Sequence, residues 1–333
     1  MNKIKLSICI PTYNRADCIG SCLDSVLSQM DESVEIVIVD GCSTDQTAEI
    51  VDKYVKSFPG IHYFCRDYNV GVDADILKTV ETAKGQYCWF LSDDDKLEPG
   101  AIKCVLSKLH ENPKLVGVSV NMVAYDSEME YEIRAVPPVS RSRLTHDHLF
   151  RTRDEAFTML GIHFGFLSAQ IILREAWLNA VTKTDIDRYS NNWLLVYIIG
   201  QMQETLTQWL YVHWKCVGYR SGNDSFKGRL GILNRQRLTH DDFEIIIRDL
   251  FGYRTKVYSA IFRTLLHDRM GRSLAVMKAD GLSLSLHVSL FKLYFVHYWY
   301  YPIFWLKVYP VFFVPNFIFK WLRKVYFRIK SSS

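Results

Sequence analysis

The sequence between residues 35 and 47 reads EIVIVDGCSTDQT, which predicts an apolar strand, a turn and the start of a helix. This strand-to-helix order recurs along the first 124 residues. We predict strands at Leu6–Ile10, Glu35–Val39, Ile61–Cys65, Tyr87–Leu91 and Leu115–Val120. We predict helices between them at Asp17–Gln29, Thr44–Ser57, Asp73–Ala83 and Gly100–Leu109. Uniformly apolar strands that alternate with helices are typical of an α/β fold with a mainly parallel sheet flanked by helices.

Beyond residue 124 the pattern is less regular. We predict one further strand at Ser168–Leu173 and helices at Asn192–Gln203 and Arg235–Leu265. The charged and proline-containing stretch Val136–Asp147 predicts a surface connection, because such residues favour turns over regular elements.

The charge balance excludes a protein that works mainly on nucleic acid, since 40 Lys and Arg against 36 Asp and Glu give a net charge of only +4. A hydrophobic content of 49% in 333 residues also excludes intrinsic disorder. Eight cysteines, without a CxxC pair or histidines at zinc spacing, indicate buried reduced thiols and therefore the cytosol. The N-terminal residues run directly into a strand, so we expect no secretory signal peptide.

The C-terminal segment from Gly281 to Ser333 has seven Lys or Arg, no Asp or Glu, and many aromatic residues. Its longest uncharged runs, Leu293–Leu306 and Val308–Phe319, are shorter than the roughly 20 residues that span a bilayer. Aromatic rings mixed with cations suit the headgroup region of a membrane, so we expect this tail to attach to a membrane surface. The alternative is a helical subdomain whose aromatic residues pack on the rest of the protein.

Three polar segments follow predicted strands at the edge where parallel strands end, which is where such sheets bind ligands. In the PTYN segment, the backbone and the Thr12 hydroxyl can contact a ligand. In the next segment, Asp40 is placed to hydrogen-bond the base or ribose of a ligand. Ser43 or Thr44 can then cap the following helix, and Asp45 complements the helix dipole.

The third segment carries Asp93, Asp94 and Asp95 at the end of an entirely apolar strand. Three consecutive carboxylates repel one another, and a divalent cation compensates for that repulsion. Mg²⁺ and Mn²⁺ prefer oxygen ligands and can bridge to diphosphate oxygens. The segment therefore predicts a site for Mg²⁺ or Mn²⁺, and the alternative is a solvated acidic loop.

These segments, in this order and at this spacing, resemble the family 2 glycosyltransferases with the GT-A fold, a Rossmann-like nucleotide-diphospho-sugar transferase fold. The matching motifs are PTYN at 11–14, VDGCSTDQT at 39–47, NVG at 69–71 and LSDDDKLEPG at 91–100. The resemblance implies a metal-dependent enzyme that takes a sugar from a nucleotide-sugar donor. It also implies three regions: a nucleotide-sugar-binding half at 1–124, an acceptor-binding half at 125–230, and a helical region with an amphipathic membrane-associated tail at 231–333.

The resemblance assigns roles to individual residues. The donor-binding residues would be Pro11, Thr12, Tyr13, Asp40, Gly41, Asn69 and Asp93. Asp94 would hold the cation on the diphosphate, Asp93 would approach the ribose or the cation, and Asp95 would face the cation or the sugar. The cation would stabilise the charge that develops on the departing nucleoside diphosphate.

The chain departs from the commonest family pattern at several points. Gly41 stands where many members have a second Asp, which is consistent with a different base, cytosine rather than uracil. Ser92 replaces a frequent first Asp. The Glu-Asp pair that often supplies a catalytic base is absent, so Asp185 and Asp187 are the nearest acidic candidates, or else surface acids and helix caps. Inversion and retention at the anomeric carbon therefore both stay open, and the absence of the Gln-x-x-Arg-Trp motif of processive synthases favours transfer of a single sugar.

Three further residues are candidates for contacts with the acceptor or the diphosphate. His163 precedes a predicted strand and either lines the acceptor site or is a structural histidine. Arg220 and Asn223 belong to a loop that could touch the diphosphate or close the cleft, and the alternative is an ordinary turn.

Within the family, the chain resembles the bacterial O-antigen abequosyltransferases in its length, its LSDDD variant and its basic aromatic tail. That resemblance implies CDP-abequose as donor and a mannose of a polyprenyl-diphosphate-linked oligosaccharide as acceptor, in O-antigen and lipopolysaccharide biosynthesis. It also implies a peripheral enzyme at the cytoplasmic face of the bacterial inner membrane. The alternatives are another UDP-, GDP- or dTDP-linked sugar, or an inactive membrane-associated binding module. A nucleotidyltransferase would usually need a Gly-rich phosphate loop, which residues 11–20 do not supply.

Overall fold

The structure is a computed structural model, and it describes residues 4–133, 144–190, 193–205, 208–223 and 225–331. Most of the connection predicted at Val136–Asp147, and the first residue of the helix predicted from Asn192, lie outside the described residues. The chain divides into two compact units, residues 1–224 (unit 1) and residues 225–333 (unit 2).

Unit 1 is built on a nine-stranded sheet. The strands are β1 Leu6–Thr12, β2 Val34–Asp40, β3 Ile61–Cys65, β4 Tyr87–Phe90, β5 Lys96–Leu97, β6 Gly117–Tyr125, β7 His148–Phe150, β8 Gln170–Leu173 and β9 Trp209–Arg220. Their order is β3-β2-β1-β4-β8-β6-β9-β5, and β7 pairs with β9. Strands β3, β2, β1 and β4 are parallel, as are β6 and β9, whereas β8, β5 and β7 run antiparallel to their neighbours.

Helices flank this sheet, which confirms the predicted α/β fold class. In unit 1 they are α1 Ile19–Leu27, α2 Thr47–Ser57, α3 Val72–Thr82, α4 Ala101–Glu111, α5 Arg153–Leu160, α6 Arg174–Val181, α7 Ile186–Tyr189 and α8 Leu194–Thr205. Two short 3₁₀ segments, Gly161–Gly165 and Leu167–Ala169, lead from α5 into β8.

The central parallel strands β1, β2 and β4 are mostly apolar because both faces of the sheet are covered there, whereas the edge strand β3 is partly exposed. Every residue of β1 and of β2 is buried. Ile8, Ile36 and Trp89 belong to one hydrophobic core that continues into the second half of the sheet. Burying one such side chain stabilises the fold by about 1.5–3 kcal/mol. This packing fixes the strand ends, and with them the loops that carry the polar motifs.

The predictions from the sequence are accurate for the parallel half of the sheet. Elsewhere they are incomplete. The 12-residue strand β9 was not predicted, because residues 213–215 are exposed and interrupt its apolar pattern. A register shift beside Asn121 of β6 accommodates this irregularity. The helical character predicted over Arg235–Leu265 is confirmed, but the segment is divided. A π-helical turn precedes one helix, and Gly252, with φ +86°, ends that helix before the next one begins.

Unit 2 is helical. Its helices are α9 Ser225–Arg237, α10 Phe243–Phe251, α11 Lys256–Leu265, α12 Gly271–Ala279, α13 Leu284–Tyr298, α14 Tyr309–Phe313 and α15 Asn316–Ser331. Three π-helical turns join them, at Leu238–Asp242, Leu266–Met270 and Phe304–Val308. In the part of the chain that the structure describes, no helix has both the length and the apolar character that crossing a membrane requires.

The aromatic residues of unit 2 fall into two groups. One group forms its interior: Tyr294 and Tyr298 are buried, and the Tyr298 hydroxyl lies 2.7 Å from Nδ1 of the buried His240. The other group is exposed on α15, where Phe317 and Trp321 expose 69% and 60% of their surface. The composition of the tail therefore reflects both a packed helical core and an exposed aromatic surface.

At the other end of unit 1's parallel strands, Gly85 allows the chain entering β4 to approach β1. A Cβ atom at residue 85 would lie 2.5 Å from the Ser7 Oγ atom and 2.7 Å from the Ser7 nitrogen. The buried Glu35 of β2 accepts hydrogen bonds from the Ser7 hydroxyl (2.6 Å) and the Lys84 amide (2.6 Å). These contacts tie the chain before β4 to β1 and β2.

We expect Gly85→Ala to lower the free energy of unfolding by about 1–3 kcal/mol, because the added methyl group meets backbone atoms that cannot move aside. Urea denaturation of the purified variant measures this change. Gly20→Ala is the matched control: Gly20 lies inside α1, where a Cβ atom would meet only the Tyr54 hydroxyl at 3.5 Å. There alanine should stabilise by up to about 1 kcal/mol. Equal effects of the two substitutions would contradict the close approach at Gly85.

Candidate functional site

The ends of β1, β2 and β4 bring the three polar segments to one edge of the sheet. In the parallel register, Thr12 of β1 lies opposite Asp40 of β2, and Cys9 lies opposite Phe90 of β4. The Gly41 amide donates a hydrogen bond to the Thr12 carbonyl oxygen (2.8 Å). The folded sheet therefore brings these segments together, as the sequence predicted.

The loop after β2 holds the loop after β1 in place. The Asn14 amide donates to the Ser43 Oγ atom (2.8 Å), and the Thr44 amide donates to the Asn14 Oδ1 atom (2.8 Å). Asn14 has φ +53°, in the left-handed region that asparagine tolerates better than most residues. The expectation that Ser43 or Thr44 caps α2 was wrong, because both residues bond the neighbouring loop instead.

Asp45 forms a further link between the loop after β1 and the loop after β2. Its carboxylate accepts hydrogen bonds from the Ala16 amide (3.1 Å) and from the amide of Thr47, the first residue of α2 (3.0 Å). The Arg15 amide donates to the Thr47 hydroxyl (2.8 Å). Burial opposes ionisation of Asp45, but the bonds from Thr47 and Ala16 prevail and lower its pKa. The STDQT segment thus shapes the loop that follows PTY.

Residues predicted to bind the nucleoside line this edge, with different degrees of exposure. Pro11 and Thr12 are buried, whereas Tyr13 exposes 41% of its surface. The fully buried Asp40 carboxylate accepts hydrogen bonds from the Ser43 amide (2.7 Å) and the Tyr63 hydroxyl (2.8 Å). Its contact with a nucleoside stays a prediction.

Asn69 lies on the turn that leads into α3. It is exposed, and its Oδ1 atom accepts a hydrogen bond from the Gly71 amide (2.9 Å). Gly71 has φ +93°, which suits glycine and completes the NVG turn. The contact between Asn69 and a donor stays a prediction.

Asp93 is the most buried carboxylate of the acidic segment and pairs with Arg15. The Arg15 Nε atom lies 3.2 Å from the Asp93 Oδ1 atom. Burial raises the pKa of Asp93 to about 7, the Arg15 charge opposes that rise, and the neighbouring Asp94 charge adds to it. The buried Thr12 hydroxyl forms no hydrogen bond with any described residue. Sequence reasoning missed Arg15, although it directly follows PTYN.

Asp94 contacts one neighbour within the acidic segment and one residue far along the chain. Its Oδ1 atom accepts a hydrogen bond from the Ser92 hydroxyl (2.7 Å), and its Oδ2 atom accepts one from the Asn223 side-chain amide (2.8 Å). Ser92, which replaces a frequent Asp of the family pattern, therefore orients Asp94 in this chain. Asn223 lies at this site as well, which is the placement that its candidate role requires.

Asp95 is held by Ser168 and by the end of β9. Its Oδ2 atom accepts from the Ser168 hydroxyl (2.5 Å), and its Oδ1 atom accepts from the Arg220 amide (3.1 Å). Burial and the adjacent Asp94 charge raise the pKa of Asp95, while these two bonds oppose the rise. The Ser168 hydroxyl also accepts from the Ser92 amide (2.9 Å). Ser168 was predicted only as the start of a strand.

Arg220 ends β9 and braces the acidic segment through its side chain as well. Its Nε atom donates to the Asp94 carbonyl oxygen (3.2 Å), and its Nη1 atom donates to the Ser127 carbonyl oxygen. The sequence placed Arg220 in a loop because β9 itself was not predicted. The structure brings it to the three carboxylates, and its contact with a diphosphate stays a prediction.

The acidic segment suits a cation that is shared with a ligand. The three carboxylates point to different partners, and among the described residues no group of three or more His, Cys, Asp or Glu side chains forms a metal cage. Mg²⁺ is usually bound by one or two carboxylates together with substrate phosphates, so a single aspartate meets this requirement. Burial, with the neighbouring Asp94 charge, raises the pKa of both Asp93 and Asp95, and a bound cation would oppose both effects. A divalent cation at this segment therefore fits its chemistry.

The remaining candidates lie in other settings. Asp185 and Asp187 are exposed, and the Asp185 side chain caps α7 by accepting from the Arg188 amide (3.3 Å). The His163 ring is 1% exposed and lies 6.3 Å from the ring centroids of both Phe166 and Tyr211. Burial among aromatic rings is the setting of a structural histidine. Catalytic or acceptor-binding roles for these residues stay predictions.

Comparison with known proteins identifies the class that this fold and site define. The model of glycosyl transferase family 2 matches residues 7–177, so the chain belongs to this family. The match spans PTYN, the loop after β2, the acidic segment and Ser168.

Individual proteins resemble the chain to different extents. It is 26% identical over 284 residues to the abequosyltransferase RfbV of Salmonella typhimurium, covering 79% of this chain and 80% of that protein. It is 32% identical over 108 residues to the GalNAc(5)-diNAcBac-PP-undecaprenol beta-1,3-glucosyltransferase of Campylobacter jejuni, covering 32% of this chain and 35% of that protein. The fold matches the mannosyltransferase PcManGT of Pyrobaculum calidifontis, solved with GDP-Man and Mn²⁺, with a TM-score of 0.57 and 14% identity over 94% of this chain and 86% of that one.

We expect Ser168→Ala to lower the free energy of unfolding by about 1–3 kcal/mol, because the Asp95 carboxylate and the Ser92 amide both lose a partner. Chemical denaturation measures the effect. Ser57→Ala is the control, since the exposed Ser57 hydroxyl bonds only the Lys53 carbonyl oxygen of its own helix. That substitution should change stability by less than about 0.5 kcal/mol. A Ser168 variant as stable as the Ser57 variant would show that Ser168 does not brace the acidic segment.

Proposed function

We propose that this glycosyltransferase transfers a single sugar from a nucleotide-sugar to an acceptor hydroxyl in the synthesis of a bacterial surface polysaccharide. The observation that carries the proposal is the convergence of PTYN, Asp40 and the Asp93–Asp95 segment at one sheet edge. Family 2 membership supports the reaction class. The names of the abequosyltransferase and the undecaprenol-linked glucosyltransferase support the setting.

In the proposed reaction, the acceptor hydroxyl oxygen forms a bond to the anomeric carbon of the donor. The bond from that carbon to the diphosphate oxygen breaks, and its electron pair leaves with the nucleoside diphosphate. A divalent cation held by Asp94 would neutralise charge on the diphosphate. Arg15 and Arg220 position the acidic segment, and Asn223 orients the Asp94 carboxylate toward the site.

The proton of the acceptor hydroxyl must go to a base if the configuration inverts. We keep Asp185 and Asp187 as candidates because they are exposed carboxylates. Asp95 is the third candidate, although its two oxygens already accept hydrogen bonds from Ser168 and Arg220. These bonds favour a role for Asp95 in contacting the cation or the sugar over proton transfer.

We propose CDP-abequose as the donor and a polyprenyl-diphosphate-linked oligosaccharide as the acceptor. Similarity to the abequosyltransferase RfbV over four-fifths of both chains supports the donor. UDP-, GDP- and dTDP-sugars are the alternatives.

We further propose that the enzyme is peripheral at the cytoplasmic face of the inner membrane. The exposed rings of Phe317 and Trp321 lie four residues apart on α15, so they share one helix face. The exposed cations Lys320 and Lys324 lie on the same helix. Aromatic residues beside cations suit the interface with anionic lipids, where the lipid-linked acceptor would reside.

We expect release of CDP from CDP-abequose when the enzyme is supplied with Mn²⁺ or Mg²⁺ and a membrane extract rich in polyprenyl-linked oligosaccharides. Asp94→Asn should reduce this rate by about 100-fold or more, because a charge that stabilises the leaving diphosphate is lost. Nucleoside diphosphate release, measured across a panel of CDP-, UDP-, GDP- and dTDP-sugars, checks both statements. A chelator should abolish the activity, and added Mn²⁺ should restore it.

Glu49→Gln is the control for this experiment, since it removes an exposed carboxylate from α2 and should leave the rate unchanged. Circular dichroism verifies that both variants fold. Activity with a different nucleotide-sugar would retain the reaction class and discard the abequose assignment. Inactivity across the whole panel would favour the inactive binding module, and full activity of Asp94→Asn would refute the cation site.

We expect the double variant Phe317→Ser, Trp321→Ser to lose at least about tenfold in affinity for vesicles of phosphatidylethanolamine and phosphatidylglycerol. Inserting an aromatic side chain into lipid contributes about 1.5–3 kcal/mol when burial is complete. Co-sedimentation with vesicles measures the loss. The control is Tyr68→Ser, Tyr131→Ser, which removes two aromatic residues of unit 1 that are 71% and 69% exposed. Equal sedimentation of both double variants with wild type would refute attachment through α15.

A further inference from the structure

Gly41 faces a carboxylate that comes from a different part of the chain. A Cβ atom at residue 41 would lie 2.8 Å from the Asp75 Oδ2 atom, 3.7 Å from the Tyr13 Cβ atom and 3.7 Å from the Thr12 carbonyl oxygen. The Asp75 carboxylate therefore lies beside the space where a side chain at residue 41 would begin. That space adjoins the PTY segment, which is predicted to surround the nucleoside.

Arg66 holds Asp75 in this place. Its Nε atom forms an ion pair with the Asp75 Oδ1 atom, and its Nη2 atom donates to the Ala74 carbonyl oxygen (2.7 Å). The Arg66 amide donates to the Asp40 carbonyl oxygen (2.9 Å), which ties the pair to the end of β2. Asp75 itself belongs to the first turn of α3, and only 3% of its surface is exposed.

The two oxygens of Asp75 differ in their surroundings. Oδ1 is paired with Arg66, whereas Oδ2 accepts no hydrogen bond from any residue that the structure describes. Oδ2 is not among the sealed, unpaired polar atoms of the described residues, so a ligand in the cleft can reach this oxygen and bond it. Tyr13, beside the space at residue 41, exposes 41% of its surface, so a ligand can contact it.

We propose that Asp75 is a specificity-determining residue, whose Oδ2 atom accepts a hydrogen bond from an N–H group of the donor's nucleobase. In this chain it would replace the second Asp that many family members have at the position of Gly41. Arg66 is the positioning residue, because it fixes the carboxylate through the opposite oxygen. The inference rests on the proposed use of a nucleotide-sugar, since a nucleobase must occupy the cleft.

The chemistry of the contact explains why it selects among bases. An ionised carboxylate is only an acceptor, so it pairs with a base N–H and is repelled by a base carbonyl or ring nitrogen. Sites that hydrogen-bond a ligand group discriminate strongly against analogues that lack it, because the buried partner is then unpaired. Loss of Asp75 should therefore reduce the preference between bases and leave the binding of the diphosphate in place.

The test is calorimetric titration of CDP, UDP, GDP and dTDP into the full chain with Mn²⁺ present. We expect wild type to prefer one base, and Asp75→Ala to lose about tenfold or more of the affinity for that diphosphate, the usual worth of a hydrogen bond to a charged group. Affinity for the other diphosphates should change little. Asp75→Asn, which retains the shape of the side chain, keeps the comparison valid if Asp75→Ala folds poorly.

Moving the carboxylate provides a second measurement. Gly41→Asp alone should weaken binding, because its side chain begins 2.8 Å from Asp75 and carries the same charge. The combination Gly41→Asp, Asp75→Ala restores one carboxylate to this space and should recover most of the affinity and the base preference. A purely structural role for Asp75 would not produce that rescue.

Glu81→Ala is the matched control, since it removes an exposed carboxylate from the other end of α3. It should leave all four affinities unchanged. Folded Asp75 variants that retain the wild-type base preference would overturn the assignment while leaving the proposed function intact. Failure of wild type to bind any of the four diphosphates would instead overturn the proposed function, and this inference with it.

Discussion

Repulsion among Asp93, Asp94 and Asp95 is the constraint on which the candidate site depends. Three adjacent carboxylates at the end of a buried strand stay in place only if each has a separate partner. The fold supplies these partners from three directions: Arg15 from the loop after β1, Asn223 from the segment after β9, and Ser168 from the turn before β8. The acidic segment therefore connects the parallel half of the sheet to the mixed half.

The same arrangement brings loops from both parts of the sheet to one edge. The parallel strands β1, β2 and β4 present loops that suit a nucleotide, and hydrogen bonds between the PTYN and STDQT segments fix those loops. Strand β9 brings Arg220 to the acidic segment from the other side. The carboxylates thus lie where the parallel and the mixed parts of the sheet meet.

Sequence patterns predicted the parts of the structure that depend on local or repetitive signals. Mainly apolar strands between amphipathic helices identified β1–β4, because both faces of the central parallel strands are buried. Strand β9 escaped prediction because its exposed residues 213–215 interrupt the apolar run. The contacts of Ser168 and Asp75 were also not predicted, since each contact joins residues that are distant in the chain. Ser43 was assigned to a helix cap from its position, whereas its hydroxyl bonds Asn14 of the neighbouring loop.

The sequence by itself determined the fold class, the family and the edge of the sheet on which the polar motifs lie, because strand order and apolar patterning are encoded locally. Only the tertiary structure decided which partner each carboxylate has and that Asp75 stands next to Gly41. The physical reason is that burial and charge pairing depend on distances between segments far apart in the chain. Those distances exist only after the sheet has formed and packed.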